Sequence, residues 1–146
     1  MRGYCGIGII GSKYSDNVGT LWRSAYAMGA DFIFTIGKRY KHEVTDTCKA
    51  SKHIPLLHFD TYEEFLKTID CEVVCIENQH MTHTLNHYKH PERCVYLLGA
   101  EDAGIPEEIL VDTDKRTHVV MIPSELCLNV SVAGSIVLYD RLTKEG

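Results

Sequence analysis

The sequence predicts an α/β domain, a mostly parallel sheet with helices on both of its faces. Three observations predict it. Strand-like and helix-like segments alternate along the chain. The strand-like segments 5–10, 32–36, 71–76, 94–98 and 117–122 are close to continuous apolar runs instead of alternating ones. The last two of these end in turns marked by Gly or Pro and then lead into helical patterns. A strand that is apolar on both sides needs cover on both sides, which is the condition of a parallel sheet with its crossovers packed against each face.

The elements follow in order. After the first strand, Ser15, Asp16 and Asn17 offer helix caps, and Val18, Leu21, Trp22, Ala25 and Met28 recur at spacings that put them on one helical stripe over 18–28. Gly29 stands where helices commonly stop. Residues 32–36 form the second strand. Thr61 with Glu64 three residues on makes a capping box that opens a helix over 62–69, leading into the strand 71–76. The strands 94–98 and 117–122 bracket a short helical turn begun by Pro106, whose fixed φ suits the first position of a helix. A final helix is expected over 128–144, with Val130, Ala133, Ile136, Val137 and Leu142 available for its buried face.

Composition bounds the class. With 146 residues, 45% apolar and 24% charged, the chain is expected to form one domain, 1–146, with no appended module. No apolar stretch reaches the roughly 18 residues that cross a bilayer, and residues 1–5 run into the first strand without a secretory signal pattern. A cytoplasmic, membrane-free protein is the expectation. Of six cysteines, Cys5, Cys71, Cys75 and Cys94 fall in or beside apolar strand runs, where Cys serves as a small hydrophobe, and reduced thiols are expected. Cys71 and Cys75, four apart on one strand face, are separated by roughly 13 Å, beyond disulfide reach.

The net charge of −5 disfavours a general polyanion binder, yet Lys38, Arg39, Lys41, His42, Lys49, Lys52 and His53 crowd one segment with only Glu43 and Asp46 as acids. That segment is either a solvated loop or a surface for nucleic-acid phosphates. The turns at 98–104 and 122–128 leave backbone amides and carbonyls outside any regular ladder, at the carboxyl ends of strands, where open α/β sheets hold ligands.

Three motifs carry a resemblance. Asn17-Val18-Gly19-Thr20-Leu21-Trp22-Arg23-Ser24-Ala25 comes first. Leu98-Gly99-Ala100-Glu101-Asp102-Ala103-Gly104-Ile105-Pro106 comes second, and Ile122-Pro123 with Cys127-Leu128-Asn129-Val130-Ser131-Val132-Ala133 third. In order and spacing they resemble the motifs of the SpoU/TrmH branch of the SPOUT methyltransferases, over nearly the whole chain. The resemblance implies an S-adenosylmethionine-dependent methyl transfer to a ribose 2′-hydroxyl of tRNA or rRNA, a C-terminal trefoil knot and a site formed at the two-fold interface of a homodimer. The first and final helices are the candidate contacts of that dimer.

By position, the resemblance assigns donor binding to Leu98, Gly99, Gly104, Ile122 and Leu128. It assigns the catalytic set to Arg23, Asn17, Glu101 and Asn129. A guanidinium is too weak an acid to serve as a general base, so Arg23 is expected to bind and orient the target phosphate and ribose. Glu101 is expected to hold Arg23 or an Asn in place. Asn17 and Asn129 each have a second explanation as helix caps. Substrate contacts are expected from Arg23, Ser131, Lys38, Arg39 and Lys41. The family most often has Ser two residues before the third-motif Asn, where this chain has Cys127, so the role of that hydroxyl is in question.

Two other patterns compete. Gly6-Ile7-Gly8-Ile9-Ile10-Gly11, with Asp31 beyond, has the spacing of a dinucleotide fingerprint and would suit a nicotinamide-dependent oxidoreductase. However, its glycines lie inside the strand, and the helix begins only near residue 17. His80, His83, His87 and His90 have spacings of three, four and three, but lack Cys or carboxylate partners at ligand spacing. They are expected to be exposed loop histidines, with no metal. A non-catalytic RNA-binding domain of the same fold is the other alternative.

Overall fold

The computed structural model describes residues 3–12, 15–37, 53–111 and 116–144. The basic residues Lys38, Arg39, Lys41, His42, Lys49 and Lys52 lie outside them. In chain order the elements are β1 (Tyr4–Ile10), α1 (Ser15–Ala27), β2 (Phe32–Ile36), β3 (Leu56–Phe59), α2 (Tyr62–Thr68), β4 (Glu72–Ile76), β5 (His83–Thr84), a 3₁₀ turn (Leu85–His87), β6 (Arg93–Gly99), α3 (Glu107–Leu110), β7 (Thr117–Met121) and α4 (Val130–Lys144). The strands form one sheet in the order β3-β2-β1-β6-β4-β7-β5. Every neighbouring pair is parallel.

The apolar runs split by parity between two cores, as the pleat requires. Ile7, Ile9, Val74, Tyr96, Leu98 and Val120 face α1 and α4. Phe34, Val73, Cys75, Val95, Leu97 and Val119 face α2 and α3. The central strands are thus buried from both sides, which is why their sequences do not alternate.

The expected strands form within one or two residues. Two were not foreseen. β3 is a four-residue edge strand with Leu57 and His58 exposed, and β5 has two residues; neither offers an apolar run to read. The box at Thr61 forms in part. Thr61 Oγ1 accepts from Glu64 N at 3.2 Å, while the Glu64 carboxylate accepts from Asp60 N, one residue before the cap.

Several expectations are corrected. Pro106 is the cap of α3, with extended ψ, and the helix begins at Glu107. α4 starts at Val130, and its buried face holds Val130, Ala133 and Val137 as expected. Ile136 and Leu142, by contrast, are exposed. Leu138 and Arg141 take the inner positions, the latter 4% exposed. Arg141 reaches the chain before and along β6, donating to Pro91 O at 2.7 Å, Glu92 O at 2.9 Å and Tyr96 Oη at 3.0 Å. These bonds let a buried guanidinium fix the far end of α4.

The glycines of the fingerprint-like pattern have a packing role. A Cβ at Gly6 would lie 2.3 Å from the Phe32 ring, and one at Gly8 would lie 2.2 Å from Phe34 O. β1 is therefore kept bare so that the large aromatics of β2 can lie across it. α1 begins at Ser15, within a few residues of the strand end, but the first two glycines are strand residues and not a phosphate-binding turn.

Candidate active site

With all strands parallel, the carboxyl ends of β6, β4 and β7 meet at one edge, and β4 lies between the other two. The turns that follow them surround an open cleft of about 190 Å³. Leu98, Gly99, Gly104, Ile122 and Leu128, the five residues expected to bind the donor, all line it. Ile76, Ala100, Val130 and Ala133 add apolar wall, and Cys127 and Ser124 stand at its third-motif side. Glu77 and Asn78 also line the cleft and were missed by motif reasoning. They directly follow the apolar run of β4, and only the strand order shows that this run ends beside β6 and β7.

The second-motif turn is held by backbone proximity. Gly104 N donates to Ala100 O at 2.7 Å, and Gly104 has φ +67°. A Cβ at Gly99 would stand 2.3 Å from the Gly104 carbonyl carbon and 2.4 Å from Ile105 N. Glycine at 99 is thus demanded by the crossing of two backbone segments. Glu77 braces the turn from β4, its Oε2 accepting from Ile105 N at 3.3 Å and its Oε1 from Asn78 N at 2.9 Å.

Beside the cleft the structure brings together Asn17, Glu101 and Asn129. Asn129 Nδ2 donates to Glu101 Oε1 at 2.8 Å and to Asn17 Oδ1 at 3.3 Å, and Asn17 Nδ2 donates to the same Glu101 oxygen at 3.2 Å. The other end of the Asn129 amide caps α4, its Oδ1 accepting from Ser131 N at 2.9 Å, Ser131 Oγ at 2.6 Å and Val132 N at 3.3 Å. Asn129 therefore caps α4 with one end of its amide and joins Glu101 and Asn17 with the other. Asn17 lies inside the first turn of α1 and uses its amide on the other two residues. A smaller hollow lined by Ser12, Asn17, Glu101 and Asp102 adjoins on the far side.

Ser131 is placed differently from expectation. It is 5% exposed, and its hydroxyl points at Asn129 as part of the cap instead of outward to a substrate. Arg23 is exposed on α1, next to buried Trp22, whose indole donates to Ile54 O at 3.1 Å. Among the described residues no hydrogen bond or ion pair joins Arg23 to the Asn17–Glu101–Asn129 group. Lys38, Arg39 and Lys41 lie outside the described residues.

The buried thiols are kept protonated. Burial, with the Glu77 carboxylate adding to it, pushes Cys75 up to about 12. Burial likewise pushes Cys94 up to about 12. All five described cysteines are free. Of the four spaced histidines, His90 overturns the expectation of exposure. Its side chain is 1% exposed, with Nε2 2.7 Å from Asp140 and Nδ1 2.7 Å from Tyr96 Oη. Among the described residues no His, Cys, Asp and Glu cluster is arranged to hold a metal, and no helix is long and apolar enough to cross a membrane.

The fold is thus a parallel α/β sheet with a cleft between two irregular turns and a polar group joining three distant segments at its rim. The chain belongs to the SpoU rRNA Methylase family, whose profile matches residues 7–139. It is similar to the 23S rRNA (guanosine-2'-O-)-methyltransferase RlmB of Salmonella typhi, 28% identical over 133 residues, covering 86% of this chain and 54% of that protein. It is also similar to the tRNA (cytidine(34)-2'-O)-methyltransferase of Ancylobacter novellus, 25% identical over 142 residues, covering 90% of this chain and 87% of that protein. The chain thus spans about half the length of the RlmB relative and most of the tRNA-modifying one.

Among solved structures, the SpoU methyltransferase AviRb from Streptomyces viridochromogenes, in complex with AdoMet, superposes with a TM-score of 0.85 at 19% identity, covering 99% of this chain and 58% of that one. A structure described for 2-OH methylation of C/U34 on tRNA superposes with a TM-score of 0.82 at 21% identity, covering 97% and 95%. These two likenesses establish the fold.

Proposed function

We propose that this chain is an S-adenosylmethionine-dependent methyltransferase acting on a ribose 2′-hydroxyl of tRNA or rRNA. The observation that carries the reading is the Asn17–Glu101–Asn129 group on the rim of the cleft built by the 99–104 and 122–128 turns. The cleft fits the donor on chemistry. Its apolar walls suit an adenine ring, and its turns carry backbone groups free of any ladder for the ring edges. Leu98, Gly99, Gly104, Ile122 and Leu128 are the residues that would hold it.

When bound, S-adenosylmethionine supplies a methyl group activated by a sulfonium. The chain's own task is to set the ribose oxygen in line behind that methyl carbon and to let its proton leave to solvent. Asn17, Glu101 and Asn129 form the rigid side of that arrangement, beside the donor cleft. Positioning of this kind supplies much of the barrier reduction in a bimolecular transfer. Arg23 orients the target phosphate with its planar fork, and Lys38, Arg39 and Lys41 add phosphate contacts.

The working unit is a homodimer in the cytoplasm, with the C-terminal segment tied in the trefoil knot of the family. Val132, Ile136, Tyr139 and Leu142 leave one side of α4 apolar and exposed. Together with Tyr26 on α1 they make a surface suited to a second copy. Arg23 then reaches a site across the two-fold axis.

The test is calorimetric titration with S-adenosylmethionine and S-adenosylhomocysteine, with a nicotinamide dinucleotide as control, followed by mapping of 2′-O-methylation on cellular RNA incubated with the protein. Micromolar donor binding and a new methylated ribose support the reading. Binding without transfer to any RNA favours the non-catalytic alternative, and binding of the dinucleotide alone refutes the methyltransferase reading.

A further inference from the structure

We infer that Glu77 is the acceptor for the two ribose hydroxyls of the donor, a binding residue outside the three motifs; the inference rests on the proposed donor cleft. Three observations lead to it. First, β4 lies between β6 and β7 in the sheet, so the residue after β4 is on the cleft floor between the two turns assigned to the donor. A nucleoside gripped by both turns lies over that position. Second, Glu77 lines the cleft and is held in place. Its Oε2 accepts from Ile105 N and its Oε1 from Asn78 N, and a Cβ at Gly104 would come within 2.9 Å of Oε2. The turn is bare at Gly104 where the carboxylate rests against it.

Third, the acceptor count leaves room. A carboxylate has about four lone-pair sites, and two are used by Ile105 N and Asn78 N. Two neighbouring acceptor sites on one rigid carboxylate match the paired O–H donors of a ribose diol. Glu101, the other carboxylate on the cleft, already takes two amide donors on a single oxygen from the catalytic side.

The experiment is a binding cycle by calorimetry, with S-adenosylhomocysteine and its 2′-deoxy and 3′-deoxy forms titrated into wild type and Glu77→Gln. Glutamine keeps one oxygen to accept from Ile105 N, so the brace on the turn persists. Wild type is expected to lose about tenfold or more in affinity on deletion of either hydroxyl, as for hydrogen bonds to a charged group. Glu77→Gln is expected to lose a similar factor for the intact ligand and to be indifferent, within about threefold, to the deletions. Such non-additivity is the signature of direct contact.

Additive losses, with the full cost of each hydroxyl retained in the variant, overturn the inference. Wild-type indifference to both deletions overturns it without recourse to the variant, so a poorly folded Glu77→Gln does not shield it. Failure of folded wild type to bind S-adenosylhomocysteine at all overturns the donor cleft itself and the inference with it.

Discussion

Asn129 donates from Nδ2 to Glu101 at 2.8 Å while its Oδ1 caps the first turn of α4, so one amide ties the longest helix to the second-motif turn. The two ends of the amide are separable by mutation. Asn129→Asp keeps a good cap but turns the donor into a second carboxylate facing Glu101. Stability is expected to fall by less than about 1 kcal/mol, while methyl transfer falls by about 100-fold, the loss that follows misplacement of reacting groups. Asn129→Ala should lose both, with about 1 kcal/mol of stability from the cap. Urea unfolding alongside single-turnover methylation separates the two, and an active Asn129→Asp would show that the Asn17–Glu101–Asn129 group is not needed.

Two glycines give a paired test of the donor cleft. Gly99→Ala drives a methyl group into the backbone of Gly104 and Ile105, which cannot yield as a flexible side chain can. Overpacking there should cost roughly 1–3 kcal/mol and abolish binding of S-adenosylhomocysteine. Gly29→Ala has open space around the new methyl but a φ of +82°, and should cost about 1–2 kcal/mol through backbone strain with donor affinity unchanged. Equal loss of binding in both variants would mean that general destabilisation, not turn geometry, controls the cleft.

The contrast between these positions shows what the sequence could disclose. The apolar runs revealed the sheet because burial on both faces leaves no other reading of such segments, and the motif glycines marked the cleft because backbone crossings tolerate little else. Leu98, Gly99, Gly104, Ile122 and Leu128, which line the cleft, were legible through the resemblance of the two motifs that carry them. Glu77 was not, since a single carboxylate after a strand resembles any exposed acid until the strand order puts β4 between β6 and β7. Arg141 and His90 were hidden in the same way. Polar residues enter a core only where distant partners satisfy them, and Tyr96, Pro91 and Asp140 are far from at least one of them in sequence. The outward turn of Ile136 and Leu142 also escaped, because a helical stripe alone cannot tell a core face from an exposed apolar one.

That exposed face leads to a prediction about Arg23. If a second copy covers α4, each site draws Arg23 from one protomer and Glu101 from the other. Arg23→Ala and Glu101→Ala should each be nearly inactive as pure proteins. After unfolding and refolding as a mixture, heterodimers carry one intact site, and activity should return to about a quarter of the wild-type level per chain. Ile136→Glu should prevent the recovery and give a monomer in sedimentation. A mixture as inactive as its parents would place Arg23 and Glu101 in the same protomer's chemistry.

The buried histidine gives a stability test independent of substrate. Burial lowers the pKa of His90 in the folded protein, an effect only partly opposed by its hydrogen bond to Asp140, while the Arg141 and Lys144 cations act in the same direction as burial. The unfolded chain therefore takes up the proton first. Below the ordinary histidine value of 6.5, the unfolded state binds more protons than the folded one, so stability falls as pH drops from that value toward the lowered folded pKa and levels off beneath it. His90→Gln retains a side chain that can bond both Tyr96 and Asp140 but does not titrate. Urea midpoints measured at about pH 7.5 and about pH 5.5 should converge in the variant relative to wild type, with the m-value unchanged. An undiminished pH slope in His90→Gln would move the origin of acid sensitivity to other groups.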